Sequence, residues 1–261
     1  MNSIKEKWQQ DQTLTNAWVT IPSSWTAEIL SKVGFDVMTI DAQHGLANSL
    51  PAILPMLQAM NGSQSAPFVR LPQNDPAFIM AMLDAGVMGL ICPMINNAKE
   101  TDNFVKATKY YPKGIRSFGP LRANSVYGDS YFENANANTI TLAMIETPDA
   151  IKNIQEIAKV ENLDGFYVGP WDLSLSMGFK KMADFTDPTF IAVLQEILDV
   201  AADNKLKVGI HAGSPSNSQM LSKMGFRFVT TFNDSSGLKT AANSALSEYN
   251  GLINTEKSGA Y

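Results

Sequence analysis

Short apolar runs alternate with amphipathic stretches along most of the chain. The runs are rich in β-branched and aromatic residues and stop at turn-forming or charged residues, as buried parallel strands do. The stretches between them place apolar residues at helical spacing and begin with Ser, Pro or Asp, which favour helix N-termini. The predicted strands cover residues 17–21, 35–40, 66–70, 89–93, 141–145, 165–168, 207–211 and 226–230.

Eight helices are predicted to follow these strands. Eight strand-and-helix units with short connections predict a parallel (β/α)8 TIM barrel, and in the absence of a linker we expect a single domain over residues 1–261. A doubly wound open sheet fits less well, because eight units exceed its usual count and no Gly-x-Gly-x-x-Gly follows a strand. The predicted helices cover residues 24–33, 49–60, 76–85, 98–110, 148–160, 188–202, 216–224 and 235–250.

The charge balance favours a small ligand. The chain of 261 residues has 20 Lys and Arg against 25 Asp and Glu, and its basic residues are scattered, which argues against nucleic acid or a membrane surface as partner. The single cysteine, Cys92, excludes an internal disulfide and is expected in the core. The polar start lacks a signal-like segment, and no apolar run reaches the ~20 residues that cross a bilayer, so we expect a cytoplasmic protein.

Two consecutive predicted strands are followed by acidic residues, Glu146 and Asp172. Neighbouring parallel strands end at the same edge, so the two carboxylates should face each other. No Lys or Arg stands beside either one, and such a pair repels itself unless a cation neutralises it. Two carboxylates without a Cys or His cluster suit a hard ion such as Mg²⁺ or Mn²⁺. The alternative is that one acid caps the next helix and the other is solvated.

Other chemically useful residues also follow predicted strands. Asp41 and His44 follow the second strand, Arg70 closes the third, and His211 closes the seventh. The guanidinium fork of Arg70 suits an oxyanion, and together with the metal it can stabilise the enolate oxygen of a 2-oxo acid. The alternative is that Arg70 only pairs with a neighbouring acid. His44 is favoured as a base over a solvated loop residue, whereas for His211 the two interpretations are evenly balanced.

Several motifs resemble the HpcH/HpaI class II pyruvate-dependent aldolases. They are Asp-x-Gln-His-Gly at 41–45, Val-Arg at 69–70, Ile-Glu-Thr at 145–147 and Gly-Pro-x-Asp-Leu-Ser at 169–174. The resemblance implies metal-dependent, reversible cleavage of a 4-hydroxy-2-oxo acid to pyruvate and an aldehyde. The alternatives are a decarboxylase or C–C lyase for oxaloacetate-like or malyl/citryl-type substrates, and a binding protein that kept the metal site without turnover.

The resemblance also implies roles for individual residues. Glu146 and Asp172 would hold the metal, Arg70 would bind the keto oxygen, and His44, oriented by Asp41, would act in acid/base catalysis. The family further implies a homohexamer of paired barrels, with the last helix exchanged between partners and Asp84 near the neighbouring subunit's site. The implied substrate-binding residues are Gly169, Pro170, Trp171, Asp172, Arg122 and Asp84.

Two positions depart from the family members that cleave sugar acids. Gln43 stands where many of them have Glu, and Met144 stands where they have Gln. Met144 removes a polar contact at the end of the fifth strand, so the identity of the aldehyde cannot be carried over from those members.

The long stretch from Pro112 to Asn138 is predicted to be irregular. Long ordered loops often serve as lids or interface elements. Its Arg116 and Arg122 lead us to expect that it partly closes a site, its own or a partner's, and binds an anionic substrate tail. A solvated loop is the alternative.

A lysine Schiff base is not expected, because no predicted strand places a Lys at its carboxyl end and Lys207 lies at the opposite end of strand seven. EDTA should abolish pyruvate release, and added Mg²⁺ or Mn²⁺ should restore it. Treatment with borohydride and pyruvate should leave the protein mass unchanged. A lysine adduct in the mass spectrum would contradict this mechanism.

Overall fold

Eight parallel strands close into a barrel in the computed structural model, which describes residues 3–258. Each strand pairs with the next along the chain, and the last returns to the first. The predicted (β/α)8 architecture is therefore confirmed. The strands are β1 Leu14–Val19, β2 Val37–Asp41, β3 Ala66–Arg70, β4 Gly89–Cys92, β5 Ile140–Ile145, β6 Gly165–Val168, β7 Lys207–Ile210 and β8 Phe228–Asn233.

The helices surround the barrel, and most begin at a side-chain cap or a proline. Asp187, for example, accepts hydrogen bonds from the amides of Thr189 and Phe190, so it fixes where the longest connecting helix starts. The helices are α1 Ser3–Gln9, α2 Ser24–Ser31, α3 Leu50–Ala59, α4 Pro76–Asp84, α5 Ala98–Thr108, α6 Leu121–Tyr127, α7 Tyr131–Asn138, α8 Pro148–Lys152, α9 Ile154–Ala158, α10 Pro170–Ser176, α11 Pro188–Asp203, α12 Pro215–Met224 and α13 Asp234–Ser258.

Two apolar layers hold the barrel together. Large side chains such as Phe68, Tyr167 and Phe228 fill its interior, while the outward strand residues pack against helical residues such as Leu83 and Leu194. Because both faces of each strand are buried, the strands read as continuous apolar runs rather than as alternating patterns. Cys92 is buried in the outer layer, as expected.

Polar residues inside the barrel explain why β1 and β8 were misplaced by several residues. Asn16 and Thr230 are buried and joined by a hydrogen bond of 2.8 Å. The Thr39 hydroxyl donates to the side-chain oxygen of Asn16, Oδ1, at 2.9 Å, and the Tyr167 hydroxyl lies 2.7 Å from Thr230 Oγ1. Each of these side chains forms a hydrogen bond with a residue of another strand. Polar residues that the sequence prediction placed at or outside the end of a strand therefore lie within a strand.

Four helical segments differ from the sequence prediction. The predicted helix over 148–160 is two short helices, α8 and α9, which meet at Asn153. Residues 112–138, predicted to be irregular, contain α6 and α7; α7 is rich in Asn, which favours helices poorly. Two helices were not predicted, α10 and the N-terminal α1, whose Ile4 and Trp8 are buried in the inner apolar cluster.

The last helix runs away from the barrel. Asp234 at its start accepts hydrogen bonds from the backbone amides of Thr20 and Ile21, both at 2.9 Å, and so ties the helix to β1. Beyond this anchor its apolar Leu238, Leu246 and Tyr249 are exposed. Within residues 3–258, no helix has the length and hydropathy that a membrane span requires.

Candidate active site

The site is built on an ion pair between adjacent strands. Asp41 ends β2 and Arg70 ends β3, and the two residues are partners in the register of these strands. The guanidinium donates to both carboxylate oxygens, with Nε to Oδ1 at 2.8 Å and Nη2 to Oδ2 at 2.5 Å. Both side chains are buried. Parallel pairing therefore places a fixed cation at the carboxyl end of the barrel.

Asp41 collects further donors around the same carboxylate. The indole Nε1 of Trp18 donates to Oδ2 at 3.1 Å, and the amides of Gln43 and His44 donate to Oδ1 at 3.0 and 3.2 Å. Burial opposes ionisation of Asp41, but the bonds and charge of Arg70 outweigh it and hold the pKa of the carboxyl below its usual value. The predicted link between Asp41 and His44 takes the form of a bond to the histidine's backbone amide.

The two predicted metal ligands lie beside one another at the ends of β5 and β6. Glu146 is buried, whereas Asp172 is exposed in the first turn of α10. Gly169, between β6 and α10, allows Glu146 and Met144 of the neighbouring chain segment to approach closely, since a Cβ there would lie 2.6 Å from Glu146 Oε2 and 2.6 Å from the Met144 methyl. Glu146 also accepts the backbone amide of Met94 at 2.7 Å, which fixes its other oxygen.

The two carboxylates fit a hard divalent cation. Burial raises the pKa of Glu146 against the effect of the Met94 amide, and the neighbouring charge of Asp172 raises it further. Neither acid forms a salt bridge in the described part of the chain, where no cluster of three or more His, Cys, Asp or Glu occurs either. The charge of Arg70 acts on Glu146 from a distance and partly opposes the rise of its pKa. The donor set is therefore two carboxylates without an ion-pair partner, which suits Mg²⁺ or Mn²⁺ with several coordination positions left to small ligands.

Arg70, His44 and Asp172 line one cavity of about 180 Å³ at the mouth of the barrel, and Glu146 lies behind Gly169 of its wall. His44 and Arg70 stand on one side, and the segment from Gly169 to Asp172 on the other. Of the remaining lining residues, His211 was predicted at the end of strand seven and Met144 was singled out as a departure from the family pattern, whereas Trp18 was not among the predicted site residues. The sequence predicted Trp18 only as part of a strand. Its position beside the end of β2 depends on barrel closure, which no local pattern in the sequence indicates.

His211 is packed between two indole rings. Its ring makes edge-to-face contacts with Trp18 at 5.0 Å and with Trp171 at 5.5 Å between centroids. Burial lowers the pKa of His211 to about 4, and the nearby charge of Arg70 adds to this effect. The imidazole of His211 is thus uncharged near neutral pH.

Two predicted substrate-binding residues lie elsewhere. Asp84 ends α4 and pairs with buried Arg116 at 2.7 Å. Arg122 bonds to the Ala85 carbonyl and, at 3.0 Å, to Asn61 Oδ1. Asp84 and the two partners of Arg122, Ala85 and Asn61, lie at or just after the ends of α4 and α3. These helix ends lead into the amino ends of the next strands, opposite the cavity. The expectation that this segment closes its own subunit's site is therefore corrected; a role at a partner's site stays a prediction.

The sequence pattern of the HpcH/HpaI aldolase/citrate lyase family matches residues 15–235. The chain belongs to the HpcH/HpaI aldolase/citrate lyase family. The motifs that suggested this membership are the ones that end β2, β3 and β5 and begin α10. The resemblance inferred from the sequence is thereby confirmed.

Individual relatives of this HpcH/HpaI protein cover nearly its whole length. It is 34% identical over 252 residues to a hydroxypyruvate/pyruvate aldolase of Rhizorhabdus wittichii, a match that spans 97% of this chain and 100% of the relative. It is 32% identical over 263 residues to a 4-hydroxy-2-oxo-heptane-1,7-dioate aldolase of Escherichia coli, with 100% and 99% covered. A solved HpcH/HpaI family structure from Burkholderia cenocepacia J2315 shares 26% identity at a TM-score of 0.88, with 96% and 100% covered.

Replacing Glu146 by Gln should stabilise this HpcH/HpaI protein in the absence of metal. The folded-state pKa of Glu146 is raised, so its ionisation costs stability as the pH rises from the unfolded-state value through the folded one. In EDTA at pH 7.5, Glu146→Gln should melt at a higher temperature than wild type, and this advantage should shrink towards pH 4.5. Added Mg²⁺ should raise the melting temperature of wild type only. A lower melting temperature of the variant in EDTA would contradict the assignment of an uncompensated buried carboxylate.

Proposed function

We propose that this chain is a divalent-metal-dependent aldolase that reversibly cleaves a 4-hydroxy-2-oxo acid to pyruvate and an aldehyde. The observation that carries the proposal is the arrangement of one cavity between a fixed cation and a carboxylate pair. Arg70, held at two points by Asp41, lines it from β3. Asp172 lines it as well, and Glu146 lies directly behind Gly169 of its wall. The names of the relatives agree with this chemistry.

The protein groups around the cavity can bind and polarise a 2-oxo acid. A cation held by Glu146 and Asp172 would supply Lewis acidity at the 2-oxo group. Since Nε and Nη2 of Arg70 are bonded to Asp41, its Nη1 end can donate to the same oxygen. The amides of Trp171 and Asp172 belong to the first turn of α10, where backbone donors lack helical partners, and they are our candidates for binding the carboxylate.

His44 is our candidate for moving the proton. It is exposed at the mouth and lines the cavity, and the bond from its amide to Asp41 fixes the backbone that carries it. In the cleavage direction His44 accepts the proton of the C4 hydroxyl, and the C3–C4 bond breaks. The electron pair of the broken C3–C4 bond forms the C2–C3 double bond of the enolate while the aldehyde leaves. Protonation of C3 then gives pyruvate.

Assembly with further copies is part of the proposal. The apolar residues of α13 are exposed beyond its anchor at Asp234, and Trp25 and Val33 around the neighbouring α2 are exposed as well. A second copy that exchanged this helix would cover both surfaces. Contribution of Asp84 and Arg122 to catalysis also requires a partner, because in one chain they lie at the far end of the barrel. We propose the hexamer of paired barrels, in the cytoplasm, on the basis of family membership.

The roles of His44 and Arg70 are separable by comparing two reactions. Oxaloacetate decarboxylation forms the same enolate by loss of CO₂ and needs no base for a hydroxyl. His44→Ala should therefore slow aldol cleavage by about 10² to 10⁴ while sparing decarboxylation much more. Arg70→Ala removes a donor to the shared enolate oxygen and should lower both rates by about 10². The measurement is the ratio of the two activities for each variant at saturating Mg²⁺.

A matched control is available at the opposite end of the barrel. Arg227 forms a two-point pair with Asp11 at 2.8 and 2.7 Å, so Arg227→Ala removes an equivalent cation without touching the cavity. Both of its activities should stay within about twofold of wild type, since such exposed pairs contribute little. Equal loss of both activities in His44→Ala, or decarboxylation spared by Arg70→Ala, would reassign the base to His211.

A further inference from the structure

Met94, in the loop between β4 and α5, has a backbone conformation that residues with a side chain rarely adopt. Its φ is +55°, in the left-handed region, where the Cβ of an L-residue is crowded against the backbone. Met94 is 52% exposed, so packing of its side chain contributes little to holding this conformation. Strained residues of this kind persist only where surrounding contacts fix them, and they cluster at functional sites.

The strained conformation directs the Met94 amide at a candidate metal ligand. The amide donates to Oε1 of Glu146 at 2.7 Å. The other oxygen, Oε2, lies beside Gly169, where a Cβ would approach it to 2.6 Å, and Gly169 belongs to the wall of the cavity that Asp172 lines. The two oxygens of Glu146 therefore differ: Oε1 is bonded to the loop after β4, and Oε2 is on the side of the cavity.

The side chain of Asn96 holds this loop against the end of β5. Its Nδ2 donates to the Met94 carbonyl oxygen at 2.9 Å, and its Oδ1 accepts a hydrogen bond from the hydroxyl of Thr147. Thr147 directly follows Glu146, so two consecutive residues at the end of β5 bind the same loop, one at Met94 and the other at Asn96. The Asn96 side chain thus links the strained residue to the strand end that carries the carboxylate.

The backbone of Asn96 is fixed independently of its side chain. Its N–H donates to Oε2 of Glu100 at 2.8 Å, and its carbonyl oxygen accepts from Nδ2 of Asn153 at 2.8 Å. A substitution of the side chain leaves these two bonds in place. The caps of the adjoining helices belong to other residues, since Asn97 caps α5 and Thr147 caps α8. The Asn96 side chain can therefore be removed without removing a helix cap.

We propose that Asn96 is a positioning residue for the divalent cation. By holding Met94 in its left-handed conformation, Asn96 keeps the Met94 amide on Oε1 of Glu146, which fixes the rotation of the carboxylate and leaves Oε2 to bind the metal. Loss of a group that orients a metal ligand typically lowers metal affinity by about 10- to 100-fold. The inference rests on the proposed metal-dependent function and adds a residue that acts on the metal through Met94 and Glu146.

The Mn²⁺ affinity of the substrate-free protein tests the role of Asn96. Asn96→Ala removes both side-chain bonds and should weaken Mn²⁺ binding by about tenfold or more, measured from the EPR signal of free Mn²⁺ during a titration. The matched control is Asn97→Ala, which removes the cap of α5. This control should lower the melting temperature by about 2–4 °C while its Mn²⁺ dissociation constant stays within about twofold of wild type. Equal Mn²⁺ dissociation constants in wild type and Asn96→Ala overturn the inference, and so does an equal weakening in Asn97→Ala.

Glu146→Gln separates this result from failure of the proposed function. The substitution removes the charge of a candidate ligand and should weaken Mn²⁺ binding more than Asn96→Ala does. If Glu146→Gln binds Mn²⁺ as tightly as wild type, the proposed metal site is wrong and the inference falls with it. If Glu146→Gln weakens Mn²⁺ binding and Asn96→Ala does not, the inference about Asn96 fails alone.

Substitutions at Met94 test whether Asn96 acts through the strained backbone. Glycine adopts a positive φ without strain, so in a Met94→Gly background Asn96→Ala should weaken Mn²⁺ binding by about threefold or less. Valine is β-branched and disfavours a positive φ, so Met94→Val should by itself weaken Mn²⁺ binding by about tenfold. An undiminished effect of Asn96→Ala in the Met94→Gly background, or wild-type Mn²⁺ affinity in Met94→Val, would show that Asn96 does not act through Met94 and would overturn the inference.

Discussion

The bidentate pair of Asp41 and Arg70 is the interaction on which the site depends. A buried carboxylate and a buried guanidinium are each costly alone, and removing one partner of such a pair typically costs about 3–5 kcal/mol. Here the pair joins β2 to β3, and the same carboxylate also binds the Trp18 indole and the amide of His44. The Asp41 side chain thereby positions the Arg70 cation, the Trp18 ring and the loop that carries the candidate base, His44.

The polar interior of the barrel supports that arrangement from below. Tyr167 stacks on Trp18 at 5.7 Å between centroids, and its hydroxyl bonds to Thr230, which also accepts from Asn16. Thr230 in turn lines a second cavity of about 270 Å³ at the ends of β7 and β8, which shares Trp171 and His211 with the first. The hydrogen bonds in the middle of the barrel therefore connect the ring beside Arg70 with the wall of this second cavity, through side chains that have little freedom to move.

The two ends of the barrel have different tasks in this molecule. The carboxyl end gathers the charged and aromatic groups around the two cavities. The amino end holds Asp84 in an ion pair with Arg116 and anchors Arg122 on the turn after α4. Those residues can act on a substrate only across an interface. The exposed apolar residues of α13 give a physical reason for such an interface, because that helix leaves the barrel with one face unpartnered.

The sequence by itself determined the order of the strands and of most helices, and it indicated most of the candidate reacting groups. Apolar runs that stop at Asp41, Arg70, Glu146 or before Asp172 are local signals, and a parallel barrel necessarily brings such strand ends together. Tertiary structure decided the rest. Trp18 joins the site, and two rings divide the mouth, because barrel closure sets β1 beside β2 and β8. Arg122 lies at the opposite end because a surface segment is positioned by its contacts with distant residues, which leave no periodic trace in the chain.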